Sequence, residues 1–99
     1  AAATGVPCKN TLKMADDDGL ITDTPDRSHL FEIQTPQGFS KELITKAHSY
    51  ALENHIAGTD DCYLVEQLGH RVKIVDGDYK NIKITTPEDL LLAELFSRA

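Results

Sequence analysis

With 99 residues, 40% of them hydrophobic and 26% charged, the chain has the makings of one soluble globular unit with room for a single core. Its formal charge of −6 argues against general binding to nucleic acid or acidic membranes, whose affinity comes from a basic field, so any phosphate must be met by local groups. No stretch reaches the length of a transmembrane helix, and Ala1-Ala2-Ala3-Thr4-Gly5 lacks the charged and apolar regions of a signal peptide, which makes a cytoplasmic location the expectation.

The opening run of small residues, without methionine, reads as the tail of a strand and as part of a longer protein. Val6 to Lys13 can be extended, and Leu20 to Thr24 can pair with it across Asp16-Asp17-Asp18-Gly19, giving a projecting β-hairpin arm over about residues 6–24. The three aspartates lack the alternating spacing of a calcium loop, so they read as a solvated turn. Leu30 to Thr35 can form a short strand that Pro36 and Gly38 break. Ser40 then caps a helix whose Leu43, Ile44, Ala47, Tyr50 and Ala51 lie on one face and which ends near His55.

Thr59 caps the next helix, with Asp60 and Asp61 at its positive end; Leu64, Val65 and Leu68 bury, and Gly69 stops it. Arg71 to Val75 alternates as a strand, Asp76-Gly77-Asp78 turns, and Asn81 to Ile84 makes another short strand. The last helix runs from Pro87 to about Ser97, with Leu91, Leu92, Leu95 and Phe96 as its buried stripe. Strands and helices alternate, so the class is α/β.

Chemistry is sparse. His48 and His55 are aligned on one helix but about 10 Å apart along its axis, too far to share a metal ion with bonds of about 2 Å. Cys8 and Cys62 are in no Cys-x-x-Cys arrangement and read as reduced structural thiols. There is no Ser/His/Asp or Cys/His signature and no glycine-rich phosphate loop in the sequence. The informative stretch is Asn81 to Asp89. Thr86 is a cap, Pro87 fits the first helical position, and Glu88 and Asp89 suit the positive end of the dipole. Lys83 sits just upstream, where it gains nothing from the helix; it is either held beside a bound anion or a solvated strand lysine. Thr11, Arg27 and Thr59 stand in other short polar clusters at element ends, each with a plain structural reading of its own: strand surface, a pair with Asp23 or Asp26, a helix cap.

Taken in order, Lys9-Asn10-Thr11-Leu12-Lys13, Thr24-Pro25-Asp26-Arg27, Gln34-Thr35-Pro36-Gln37, Thr59-Asp60-Asp61 with Leu64-Val65-Glu66, and Asn81 to Asp89 resemble the C-terminal part of the 2-C-methyl-D-erythritol 4-phosphate cytidylyltransferase family over nearly all of residues 1–99. The resemblance implies the C-terminal portion of a Rossmann-like nucleotidyltransferase, a mixed sheet flanked by helices, with the arm joining a homodimer. It implies an enzyme that uses CTP and Mg²⁺ to place a cytidylyl group on methylerythritol phosphate, releasing pyrophosphate, in the non-mevalonate route to isoprenoid precursors. By matching motif, Lys83 would stabilise charge at the α-phosphate of CTP and Thr59 would bind the methylerythritol phosphate. Thr11 and Arg27, on the arm, would reach the phosphate in the partner's site. Asn10 stands where many relatives have aspartate. The family's glycine-rich CTP loop and its acidic metal residues are not in this sequence, so these 99 residues alone are expected to be inactive and to associate or to depend on the remainder. A ribitol 5-phosphate cytidylyltransferase shares the Gln34 to Gln37 and Asn81 to Pro87 elements, and a non-catalytic association module is the alternative from a different class.

Overall fold

The computed structural model describes residues 1–98. Its sheet is built around β1 (Ala2–Pro7), whose small residues Ala3 and Gly5 are buried with Val6. The antiparallel neighbour on one side is β4 (Phe31–Gly38), and the parallel neighbour on the other is β5 (Lys73–Asp76). The mixed sheet and its helices make this an α/β protein, as the alternation of elements predicts.

β4 runs three residues further than the expected Leu30 to Thr35, passing through Pro36, which follows a cis Thr35–Pro36 bond. It lies at the edge of the three-stranded sheet, where a missing N–H costs no ladder bond. The register with β1 shifts between Ala3 and Gly5, and there the Thr4 hydroxyl donates to the Pro36 carbonyl at 3.2 Å.

The arm is shorter in strand content than its alternation suggests. Val6 and Pro7 belong to the central strand β1, residues 8–13 are irregular, and only β2 (Met14–Ala15) and β3 (Ile21–Asp23) pair. Its acidic turn is as expected: the Asp16 carboxylate accepts from the amides of Asp18 and Leu20, both at 3.0 Å, and Gly19 takes φ +80°. The base of the arm is tied back to the body. The Tyr79 hydroxyl donates to the Pro7 carbonyl at 2.6 Å, the Lys9 ammonium lies 3.6 Å from the centre of the Tyr79 ring, and the Arg27 guanidinium donates to the Lys9 carbonyl.

The core lies between two helices. Ser40 caps α1 (Lys41–Glu53) by accepting from the Leu43 amide, and the helix ends in a Schellman turn: His55 adopts φ 54° and the Ile56 amide donates to the Ala51 carbonyl. Ala47 and Ala51 on this helix meet Leu64 and Val65 of α2 (Asp61–Gln67), with Phe39, Leu43, Ile44, Ile56, Leu68 and Val72 packed around them. Tyr50, expected on the apolar face, is exposed. Gly69, at φ +84°, closes α2 as predicted.

Two expectations fail beyond β5. Asn81 to Ile84 is not a strand; the segment between β5 and the last helix is irregular, so Lys83 is carried by a loop. The last helix, α3 (Pro87–Ser97), begins with the predicted Thr86 cap, sharpened into a capping box by Asp89. Its leucine stripe, however, is not buried: Leu91 and Leu95 are 67% and 60% exposed, and no residue of the helix is buried. Periodicity found the apolar face correctly but cannot say what covers it.

Candidate functional site

Among the described residues the best-formed concavity is a cleft of about 490 Å³ between β4, the start of α2 and the loop after β5. Ile33, Gln34, Thr35 and Gln37 come from β4, Thr59 and Asp60 from the α2 entry, and Asn81 and Lys83 from the loop. Residues far apart in sequence are thus brought together by the sheet order, which sets β4 and β5 on either side of β1.

The wall on the α2 side depends on which residue caps that helix. Sequence spacing favours Thr59, but the cap is Asp60, whose carboxylate accepts from the Tyr63 amide at 2.9 Å and from the Gln37 side-chain amide at 3.3 Å. Aspartate and threonine are both good caps, and one residue of chain direction decides between them. With Asp60 in that role, the Thr59 hydroxyl is not used on the helix and the exposed side chain stands at the cleft lining. Gly58 permits the tight entry: a Cβ there would come within 2.5 Å of the Tyr63 ring.

The opposite wall is fixed by side-chain amides. The Gln34 amide nitrogen donates to the carbonyls of Asp78 (2.7 Å) and Asn81 (3.2 Å), while the Asn81 amide nitrogen donates to the Thr35 carbonyl (2.7 Å) and the Gln34 side-chain oxygen (3.4 Å). Below Lys83 the chain turns into α3 through Asp89, whose carboxylate accepts from the Thr85 amide and hydroxyl and from the Thr86 amide. Those bonds, the Thr85 amide first, hold the Asp89 carboxyl below the ordinary carboxylate range. Lys83 therefore sits in a loop pinned at both ends and lines the same cleft as Thr59.

Of the four residues singled out from the sequence, the structure brings Thr59 and Lys83 into one cleft and leaves the other two outside it. Arg27 lines a separate, shallow depression at the base of the arm with Lys9, Asp26 and Tyr79. Thr11 is exposed on the irregular part of the arm. Arg27 makes no ion pair with Asp23 or Asp26 among the described residues; Asp26 instead caps a short 3₁₀ turn, its carboxylate accepting from Ser28. Gln34, Gln37 and Asn81 were legible as parts of a motif but not as structural members of the site, because their role is to bond across 46 or 47 residues in the case of the Gln34–Asn81–Thr35 contacts.

Among the described residues no group of three or more His, Cys, Asp and Glu is placed to hold a metal ion. Cys8 and Cys62 are free and buried. Burial pushes the Cys62 thiol up, with the carboxylates of Asp60, Glu66 and Asp61 adding to it, which suits packing and not nucleophilic work. None of the described helices is long and apolar enough to cross a membrane.

Comparison with known proteins is consistent throughout. The family model for 2-C-methyl-D-erythritol 4-phosphate cytidylyltransferase matches residues 1–99. The cytidylyltransferase of that name from Caldanaerobacter subterraneus subsp. tengcongensis is 66% identical over 98 residues, covering 99% of this chain and 43% of the relative. That from Desulforamulus reducens is 54% identical over 96 residues, covering 97% of this chain and 41% of the relative. The chain thus spans about two fifths of the length of these curated relatives. Among solved structures, the Thermus thermophilus enzyme of the same name matches with a TM-score of 0.84 at 36% identity, covering 99% of this chain and 48% of that one. The 4-diphosphocytidyl-2C-methyl-D-erythritol synthase of Anaerococcus prevotii matches with a TM-score of 0.87 at 39% identity, covering 99% and 46%. The backbone, the order of motifs and the family match over residues 1–99 agree, and the chain belongs to the 2-C-methyl-D-erythritol 4-phosphate cytidylyltransferase family.

Proposed function

We propose that the intact enzyme containing this chain transfers a cytidylyl group from CTP to 2-C-methyl-D-erythritol 4-phosphate, in the cytoplasm, and that the chain is its C-terminal, arm-bearing portion. A phosphate oxygen of the sugar phosphate attacks the α-phosphorus of CTP, a new P–O bond forms, and the bond to the β-phosphate breaks with pyrophosphate leaving. The protein needs to do little covalent work in such a step; positioning and charge neutralisation carry it. The observation that carries this reading is the meeting of Thr59 and Lys83 in one cleft within a chain matched end to end by the family.

In this proposal the Lys83 ammonium neutralises charge gathering on the α-phosphate, and the Thr59 hydroxyl donates to the sugar phosphate. The −6 net charge makes a single well-placed cation more valuable, since no general basic field assists it. Thr11 and Arg27 lie outside their own chain's cleft, which supports assigning them to the cleft of a second copy in a homodimer joined through the arm. Mg²⁺ would accompany the CTP phosphates and lower their charge. Its ligands and the loop gripping CTP would belong to the rest of the enzyme, a reading supported by the lack of a glycine-rich phosphate loop in this sequence.

The test is Lys83→Ala in the full-length enzyme, assayed with CTP and either methylerythritol phosphate or ribitol 5-phosphate. Turnover with the former should fall about a hundredfold or more with the melting temperature unchanged, as for loss of one preorganised charge at a transition state. Unchanged turnover would remove Lys83 from the chemistry. A preference for ribitol 5-phosphate would overturn the substrate.

A further inference from the structure

Within its loop, Lys83 itself has little to hold it. Among the described residues the backbone groups of Lys83 and Ile84 make no hydrogen bond, and both side chains are exposed. An ammonium on a flexible stem, carried by such a segment, would sample many positions, and transition-state stabilisation is steep in distance. Something else must set where the loop lies.

We propose that Gln34 and Asn81 form a reciprocal amide clasp that positions Lys83, making both positioning residues for the transfer step; this rests on the catalytic reading of Lys83 given above. The clasp consists of four bonds. Both Nε2 hydrogens of Gln34 are donated to the loop, to the carbonyls of Asp78 and Asn81, and both Nδ2 hydrogens of Asn81 are donated back to β4, to the Thr35 carbonyl and the Gln34 Oε1. The result fastens the loop two residues before Lys83 to an edge strand of the sheet. Neutral amides suit the task, since they add no charge beside the phosphates that Lys83 is to meet. Space is kept for the clasp by Gly77: a Cβ at that position would lie 2.2 Å from the Gln34 Oε1 and 3.3 Å from its Cδ. A second anchor, from Asp89 to Thr85 and Thr86, fastens the loop on the far side, so Lys83 sits on a short span between two fixed ends.

The experiment is a double-mutant cycle in the full-length enzyme with Asn81→Ala and Lys83→Ala, combined with hydrogen exchange across the loop. Asn81→Ala should lower kcat by roughly ten- to a hundredfold with the KM for the sugar phosphate little changed, the loss expected of a misplaced catalytic group. In the Lys83→Ala background the same change should lower kcat by less than about threefold, because its effect runs through the lysine. Exchange of amides 79–86 should rise in Asn81→Ala while the melting temperature holds. If Asn81→Ala does not fold, Gln34→Met removes the clasp from the other side and should show the same pattern, weaker because the Asn81 bond to the Thr35 carbonyl survives. Losses that multiply in the double variant, or unchanged loop exchange, overturn the proposal. A neutral Lys83→Ala beside a loosened loop in Asn81→Ala would overturn the catalytic role of the lysine while leaving the clasp in place as what orders the loop.

Discussion

Val65 is completely buried at the centre of the α1–α2 contact, between Ala47, Ala51 and Leu64. Val65→Ala removes two methyl-sized groups, worth about 1.6 kcal/mol of transfer free energy at about 0.8 kcal/mol each. Its neighbours Ala47 and Ala51 are small helical residues with no side-chain freedom to move into the gap, so a cavity cost adds and the total is about 2–3 kcal/mol. For an enzyme of the relatives' length each kcal/mol moves the melting temperature by roughly 2–4 °C, which gives a drop of about 4–12 °C. The control is Leu52→Ala on the same face-to-face pair of helices: Leu52 is 81% exposed, and its loss should move stability by no more than about 0.5 kcal/mol. Calorimetry or circular dichroism on the full-length enzyme measures both. A Val65→Ala shift no larger than that of Leu52→Ala would show that these helices do not form the core that sets Thr59 and Asp60 at the cleft.

Gly77→Ala has an unstrained φ to adopt but puts its Cβ into the Gln34 amide, so it should cut turnover by roughly tenfold with little change in overall helix content; wild-type turnover would mean the amide has another place to go. Asp89 gives a pH signature. Its carboxyl is depressed in the folded chain by the Thr85 and Thr86 bonds, so its contribution to stability is present above the ordinary carboxylate pKa and is lost as pH falls through the depressed value. Asp89→Asn should therefore flatten the acid limb of a stability-versus-pH curve, and an unaltered limb would place the acid sensitivity elsewhere. Arg27→Ala should leave the melting temperature of the assembled enzyme nearly unchanged while weakening sugar-phosphate binding. Mixing it with Lys83→Ala subunits should restore one working cleft per heterodimer only if the arm serves its partner.

What the sequence made legible was local. The Ser40 and Thr86 caps, the acidic turn at Asp16 to Gly19 and the stop at Gly69 each depend on residues within one turn of the chain, and each appears where its chemistry places it. The misplacements are cases where a distant partner decides. Pro36 looks like a strand breaker until β4 proves to be an edge strand. Asn81 to Ile84 alternates like a strand, yet its bonds to β4 run through side-chain amides in place of a ladder, Gln34 donating to the Asn81 carbonyl and Asn81 to the Thr35 carbonyl. The Thr59 hydroxyl looks committed to a cap until Asp60 takes that role one residue later.

The leucines of α3 show the same limit from the other direction, and they bear on why the site cannot be read from these residues alone. A helix whose Leu90, Leu91 and Leu95 are all more than half exposed has been given an apolar face by its sequence and no surface to set it against. Fully burying a leucine is worth about 1.5–3 kcal/mol, so leaving three of them largely open forgoes several kcal/mol, comparable with the whole stability of a small domain. The chain spans only about two fifths of its relatives' length, so the relatives carry further chain beyond the part that matches α3 and its surroundings. Since α3 begins at the Thr86–Asp89 box that fixes the far end of the Lys83 loop, covering that helix would also hold steady one of the two anchors between which the lysine sits.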